Sequence, residues 1–315
     1  MMASLKSRRG DGHSLVTRHS SLVAVAAASI AAATAAASPA PAAWRQADCA
    51  AELLRSARLF CACPETGRFS PAAETPQASF AISPWAVTAR FAPFAAETPP
   101  SHASRGVAFA LQLGGAEPPA PDEAAATLRD AREALARASR PDAAFTDGDA
   151  HDSFRFSAKW DLPAATITET SLCSALRIPC VGGTFEMLAL APSPTNSLAD
   201  IAASLSRPWL DRLDSLPRTA PEAPPSPRFG LRCAVDLQSV LSPMGMAAFF
   251  ENRQPEMQEI AIVSDDTGIE AVVGMEGPAT AEAADSPEAL QPPFLFLIRE
   301  TRTGLILFLG HVTKP

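Results

Sequence analysis

Two apolar runs near the C-terminus, residues 294–298 (Phe-Leu-Phe-Leu-Ile) and 305–309 (Leu-Ile-Leu-Phe-Leu), constrain the fold more than anything else in the chain. Neither alternates apolar with polar residues, so as strands both need cover on two faces rather than one. Thr303-Gly304 between them supplies the turn, because glycine enters the left-handed region without a Cβ clash. Such a hairpin belongs inside a domain that packs a layer against each face. With 315 residues, 47% of them hydrophobic, the chain is long enough to build one.

Upstream, the residue pattern predicts helices first and strands later. Ala47, Ala50, Leu53, Leu54 and Ala57 recur at helical spacing within residues 44–60. Residues 78–82 form a short apolar strand, after which Ser83 caps and Pro84 starts a helix to about residue 92. Residues 99–121 are broken by Pro and Gly around an apolar patch at 107–113. Asp122 caps a surface helix to about residue 139 with Ala125, Leu128, Ala131 and Leu135 inward, and 140–152 reads as a polar loop. Phe154 and Phe156 then alternate toward Trp160, and 172–181 and 185–190 are further strands. Asn196 caps a helix to Leu205 and Pro208 starts another through Leu216. Residues 221–227 are a linker, 229–234 a strand, 236–250 a helix interrupted at Pro243, and 259–263 a strand. The segment 274–293, with four prolines and many small residues, is expected to be a long exposed loop. There is no internal repeat and no regular βα alternation, so the fold class is α+β.

Charge and motifs narrow the function. Only 19% of residues are charged and the net charge is -8, so no positive field exists for nucleic acid or an anionic membrane. Lys6, Arg8, Arg9, Arg18 and His19 precede an uncharged Ala-rich run at 22–37, the order of a secretory signal peptide cleaved after Ala37 or Ala42. A Ser/Arg-rich organelle transit peptide is the rival reading, and the run is short of the ~20 apolar residues of a membrane span. Residues 1–43 are thus assigned to targeting and 44–315 to a single domain. Cys49, Cys61, Cys63, Cys173, Cys180 and Cys233 fit buried or disulfide-bonded roles, and no second pair or nearby His turns Cys61-Ala-Cys63 into a metal site. No Gly-x-Ser-x-Gly, His-Glu-x-x-His, phosphate loop or dinucleotide fingerprint is found, so neither an enzyme nor a cofactor is expected. His102 and His151 read as solvated loop residues and His311 as a hydrogen-bonded core residue. The adjacent acids Asp265 and Asp266 read as solvated at a loop.

The chain's last stretch, Pro293-Phe-Leu-Phe-Leu-Ile-Arg through Ile-Leu-Phe-Leu-Gly-His-Val to Pro315, resembles the closing strands of serpins, with His311 where that family usually carries Arg. Further segments resemble serpin elements in family order. These are Phe80-Ala-Ile-Ser-Pro84, Phe156-Ser-Ala-Lys-Trp160, Met187-Leu-Ala-Leu-Ala-Pro with Ser197-Leu-Ala-Asp-Ile, and Leu237 to Met246. The resemblance implies N-terminal helices on mixed β-sheets, a long exposed reactive loop and a C-terminal hairpin. It also implies a secreted, monomeric suicide inhibitor whose partner is a serine protease; the alternative is a non-inhibitory binding protein or an inactive truncated serpin.

By the same resemblance, residues 264–293 hold the hinge and reactive loop. Asp266, Gly268, Ile269, Glu270, Ala271, Val272, Val273 and Gly274 match the hinge, and counting along the loop puts the bait bond at Glu282-Ala283. Ile269 stands where the family prefers a small or hydroxyl residue. Trp160 and Ser83 take the breach and shutter positions, Gln258 or another residue replaces the shutter histidine, and Asp152 falls near an expected Asn. The intervals from Ser83 to Trp160 and from Trp160 to Pro192 are short for a serpin. That predicts the loss of main-sheet strands, a covering helix and strands of the sheet that anchors the far end of the loop.

Overall fold

The computed structural model describes residues 46–60, 79–95, 101–111, 121–147, 153–223, 225–251, 253–254, 256–274 and 293–313. The targeting segment, Cys61, Cys63, His151, Asp152 and the bait pair Glu282-Ala283 lie outside them. Helix α1 (Gln46–Phe60) buries Ala50, Leu53 and Leu54 of the stripe its spacing predicts, and Cys49 and Ala51 beside them. Strand β1 (Phe80–Ile82) runs into α2 (Pro84–Ala95), where the Ser83 hydroxyl accepts from the Ala86 N–H at 3.1 Å as an N-cap. Next come α3 (His102–Ala110) and α4 (Pro121–Ala138). His102 therefore opens a helix instead of lying in a loop, and residues 101–111 are ordered despite their Pro and Gly neighbours. Gly106 accounts for part of this, since a Cβ there would overlap the Gly245 carbonyl oxygen, so its cost to the helix is traded for close packing.

The polar stretch after α4 also departs from its loop reading. It holds strand β2 (Ala143–Asp147), which pairs with β3 (Phe154–Lys159). A short pairing partner supplied by the fold overrides a weak local signal. Strand β4 (Thr166–Glu169), not foreseen from sequence, precedes β5 (Cys173–Pro179) and β6 (Phe185–Pro192). Helices α5 (Leu198–Ser204) and α6 (Arg207–Ser215) are capped by Ser197 and Ser206, and Ser197 with Asp200 forms a full capping box. The cap is thus Ser197, not Asn196, whose amide donates to the Ser171 carbonyl and the Ser193 hydroxyl instead. Strand β7 (Phe229–Asp236) leads into α7 (Leu237–Leu241), a π-turn at Ser242–Met246 and α8 (Ala247–Phe250). The break falls at Gly245, whose φ of 110° no other residue adopts cheaply, and not at Pro243. Strands β8 (Met257–Ser264), β9 (Gly268–Gly274), β10 (Phe294–Glu300) and β11 (Ile306–Val312) complete the described chain.

The strands form two sheets. One has the order β1-β11-β10-β6-β5-β4, the other β2-β3-β9-β8-β7. Every residue of β10 and β11 is buried, the apolar runs as their pattern requires and Arg299, Glu300 and His311 with them, and Gly304 turns between the strands at φ 73°. The main sheet alternates instead: Phe154, Phe156 and Ala158, Ile269, Ala271 and Val273, and Leu231, Cys233 and Val235 point inward. Aromatic contacts join the two layers, with Phe156 5.1 Å from Phe185 and Phe229 5.2 Å from Phe296. The interval from Trp160 to Pro192 is filled by strands of the second sheet, and among the described residues there is no third sheet.

Candidate functional site

The site is built around β9. Asp265-Asp266-Thr267 connects β8 to β9 as a three-residue hairpin loop. The Asp265 carboxylate organises it, accepting from the Thr267 N–H at 2.7 Å, the Thr267 hydroxyl at 2.6 Å and the Gly268 N–H at 3.0 Å. These donors, Thr267 foremost, hold the Asp265 carboxyl below its ordinary value. Asp266 turns the other way, accepting from Arg228 Nε and from the Ser226 hydroxyl, each at 2.8 Å. Arg228 is the main cause of its lowered carboxyl. The two adjacent acids are therefore both engaged in hydrogen bonds and do not act as a carboxylate pair.

From Gly268 the chain enters the sheet. Strand β9 is antiparallel to β8 on one side and to β3 on the other. Three inward rows result: Ala158, Ile269 and Ser264; Phe156, Ala271 and Ile262; Phe154, Val273 and Ile260. The hinge residues Gly268–Gly274 are therefore sheet residues, with Ile269, Ala271 and Val273 buried. Glu270 faces outward and is exposed, as the period of two demands. Ile269, larger than its position usually admits, is accommodated at 2% exposure because its neighbours in the row are Ala158 and Ser264. Gly268 is held where a Cβ would overlap the Ala158 carbonyl oxygen.

Trp160 lies at the Gly268 end of β9, and Ser83 lies by Gln258 of β8, toward the Gly274 end. The Trp160 N–H donates to the Thr267 carbonyl at 3.0 Å, and Trp160 bridges to Cys180, tying the start of β9 to the second sheet. At the far end, Ser83 lies beneath β8 at Gln258. The Ser83 hydroxyl donates to the Leu307 carbonyl at 2.7 Å, anchoring the start of α2 to β11. Close by, the Cys233 thiol donates to the Ala81 carbonyl at 3.2 Å and accepts from its N–H at 3.3 Å. Sequence reading missed Arg228 and Ser226, because their partner lies 38 and 40 positions away and no local pattern marks them.

Among the described residues no three His, Cys, Asp or Glu side chains converge on a metal-sized site, and no helix is long and apolar enough to cross a membrane. Cys49, Cys173, Cys180 and Cys233 are buried free thiols. His311 is buried with its ring edge-on to Phe80 at 4.5 Å.

Residues 163–315 match the family described as Serpin (serine protease inhibitor). Plasminogen activator inhibitor 1 of Bos taurus is 28% identical over 160 residues, 44% of this chain and 39% of that protein. The Homo sapiens protein Z-dependent protease inhibitor is 26% identical over 170 residues, 48% of this chain and 37% of that protein. The chain therefore spans about two-fifths of the length of the curated relatives it matches. The thermophilic serpin tengpin in the latent state superposes with a TM-score of 0.60 at 13% identity, covering 86% of this chain and 97% of that one. Human glycosylated kallistatin gives 0.57 at 16% identity over 88% and 98%. In fold and in the sequence of its C-terminal half, this chain belongs to the serpin family.

Proposed function

We propose that the chain is a secreted, monomeric inhibitor of a serine protease that works as a suicide substrate, with Glu282-Ala283 as the bait and Asp266 to Gly274 as the hinge. In this reading the protease serine attacks the Glu282 carbonyl and the Glu282–Ala283 peptide bond breaks. The Ala283 amine leaves with a proton, and the acyl-enzyme ester stays on Glu282. The observation that carries the reading is the position of β9. Because β9 is antiparallel to both neighbours, β3 and β8 run parallel to each other, and withdrawing β9 would leave them as the parallel pair of a mixed sheet with a strand-wide gap. Filling that gap buries Ile269 and Val273, each worth roughly 1.5–3 kcal/mol on full burial. In this reading that burial, together with the ladder hydrogen bonds β9 makes to β3 and β8, is the gain that offsets the cost of ordering the strand.

The same observation favours a second reading. In this uncleaved chain Gly268–Gly274 already occupies the gap, so a loop-inserted resting form would have spent that free energy and would serve only as a binding protein. One experiment separates the two. Incubation with an elastase-like or Glu-specific serine protease is expected to give a complex that survives denaturing electrophoresis. Cleavage at 282–283 without complex, and without a rise in thermal midpoint, leaves the inserted, non-inhibitory form.

A further inference from the structure

We propose a binding site for a small oxyanion between the C-terminal end of α4 and the two turns that follow β5 and β10. A cavity of about 350 Å³ opens there, lined by Arg137, Arg140, Thr184, Glu300, Thr301 and Arg302. Its volume is at the low end for ligand pockets, which run from about 300 Å³ upward. In a chain of net charge -8, three arginines facing one carboxylate is a local reversal of sign. That carboxylate is already committed: Glu300 accepts from the Arg302 N–H at 3.1 Å and from the Thr303 N–H at 2.6 Å, closing its own turn. Arg140 is held in place by donating Nη1 to the carbonyls of Arg137 at 2.8 Å and Ser139 at 3.0 Å. Arg137 makes only a 3.4 Å exposed pair with Glu133.

The Thr184 hydroxyl is buried without a hydrogen bond in the cavity wall, and the exposed Arg302 lines the same cavity. A buried hydroxyl left unmade is costly unless something completes it. A guanidinium fork with a hydroxyl beside it matches the several acceptor oxygens of a phosphate, sulfate or carboxylate. Thr301 fixes the wall by donating its hydroxyl to the Gly183 carbonyl at 2.9 Å, so the donors are presented by tied turns. Ala134 and Ala138 of α4 are small enough to leave the space open.

Calorimetric titration of the full chain with inorganic phosphate, sulfate and acetate at constant ionic strength tests the site, with the thermal midpoint as a second readout. One saturable site is expected, and the anion that binds best distinguishes a tetrahedral from a carboxylate ligand. Arg302→Ala, at an exposed position, is expected to weaken binding by roughly tenfold or more, the scale of one charge-assisted hydrogen bond, while Arg302→Lys retains part of it. Thr184→Val is expected to weaken it without loss of fold. The proposal is overturned if no anion gives saturable binding by either readout, or if Arg302→Ala binds as tightly as the parent chain.

Discussion

Ser83 and Gln258, 175 positions apart, hold each other through two buried hydrogen bonds: the Ser83 N–H donates to Gln258 Oε1 at 2.8 Å, and Gln258 Nε2 donates to the Ser83 carbonyl at 3.4 Å. The amide thus satisfies a donor and an acceptor at the start of α2 from the inward face of β8. It does so without a titrating group, where the resemblance to serpins leads one to expect histidine.

Replacing that amide strands the Ser83 N–H, whereas the Ser83 carbonyl keeps the Val87 N–H at 3.1 Å. Gln258→Ala is expected to lower the unfolding free energy by about 1–3 kcal/mol, the cost of leaving a buried donor unpaired. Denaturant titration measures it, and an unchanged midpoint would mean that the pair contributes nothing.

Gly268 tests whether β9 is seated as described. A methyl at this position meets the Ala158 backbone, which cannot swing aside. Gly268→Ala is expected to cost about 1–3 kcal/mol of overpacking strain and to raise protease susceptibility within Gly268–Gly274. Thermal melting with limited proteolysis reads both, and wild-type behaviour in each would show that the segment does not occupy the sheet.

A buried ionic cluster sets the acid limit of stability. Arg299 donates to Glu186 Oε1 through Nε at 2.8 Å and to Asp214 Oδ1 through Nη2 at 2.8 Å, while Arg177 donates to Glu186 at 3.1 Å and pairs with Asp214. Removing one partner leaves charge uncompensated in the interior, so Arg299→Ala is expected to cost about 3–5 kcal/mol.

Asp214 supplies the pH dependence. Burial raises its carboxyl, but hydrogen bonds and charge from Arg299 and Arg177 outweigh burial and hold it below the ordinary range. A depressed folded value means the contribution is full above the unfolded carboxyl pKa, about 4, and is lost as pH falls through the lower folded value. Asp214→Asn is therefore expected to flatten the loss of stability below about pH 4. An acid titration followed by circular dichroism shows it, and an unchanged acid limb counts against the assignment.

The buried thiols give a native-state test of packing. Burial pushes Cys49, Cys180 and Cys233 up to about 12 and raises Cys173 as well. In a Cys61→Ser, Cys63→Ser background, the remaining four thiols are expected to stay unmodified by a thiol-specific dye at pH 8 and to react together on unfolding. Fast labelling of any of them without denaturant would contradict the core described here.

Much of the architecture was legible in the order of residues. The unbroken apolarity of β10 and β11, the Ser83-Pro84 helix start and the alternation of Phe154 with Phe156 each report a local rule, and each element stands where that rule puts it. The misreadings share one cause. Strands β2 and β4 carry weak patterns and are held by the next strands, β3 and β5, while α3 follows a Pro-rich stretch and packs through Gly106 on Gly245; in each, a partner outside the element supplied the stability that local propensity lacked.

The sequence alone determined that Ile269, Ala271 and Val273 share one face and that Gly268 precedes them, because side-chain alternation is a property of any extended chain. Whether those residues would hang in solvent or lie in a sheet was decided only by tertiary structure. That outcome depends on β3 and β8, the former pairing with β9 across as many as 119 positions, parting by the width of one strand. The spacing between two parallel strands is set by the whole core, and no window of local sequence contains it.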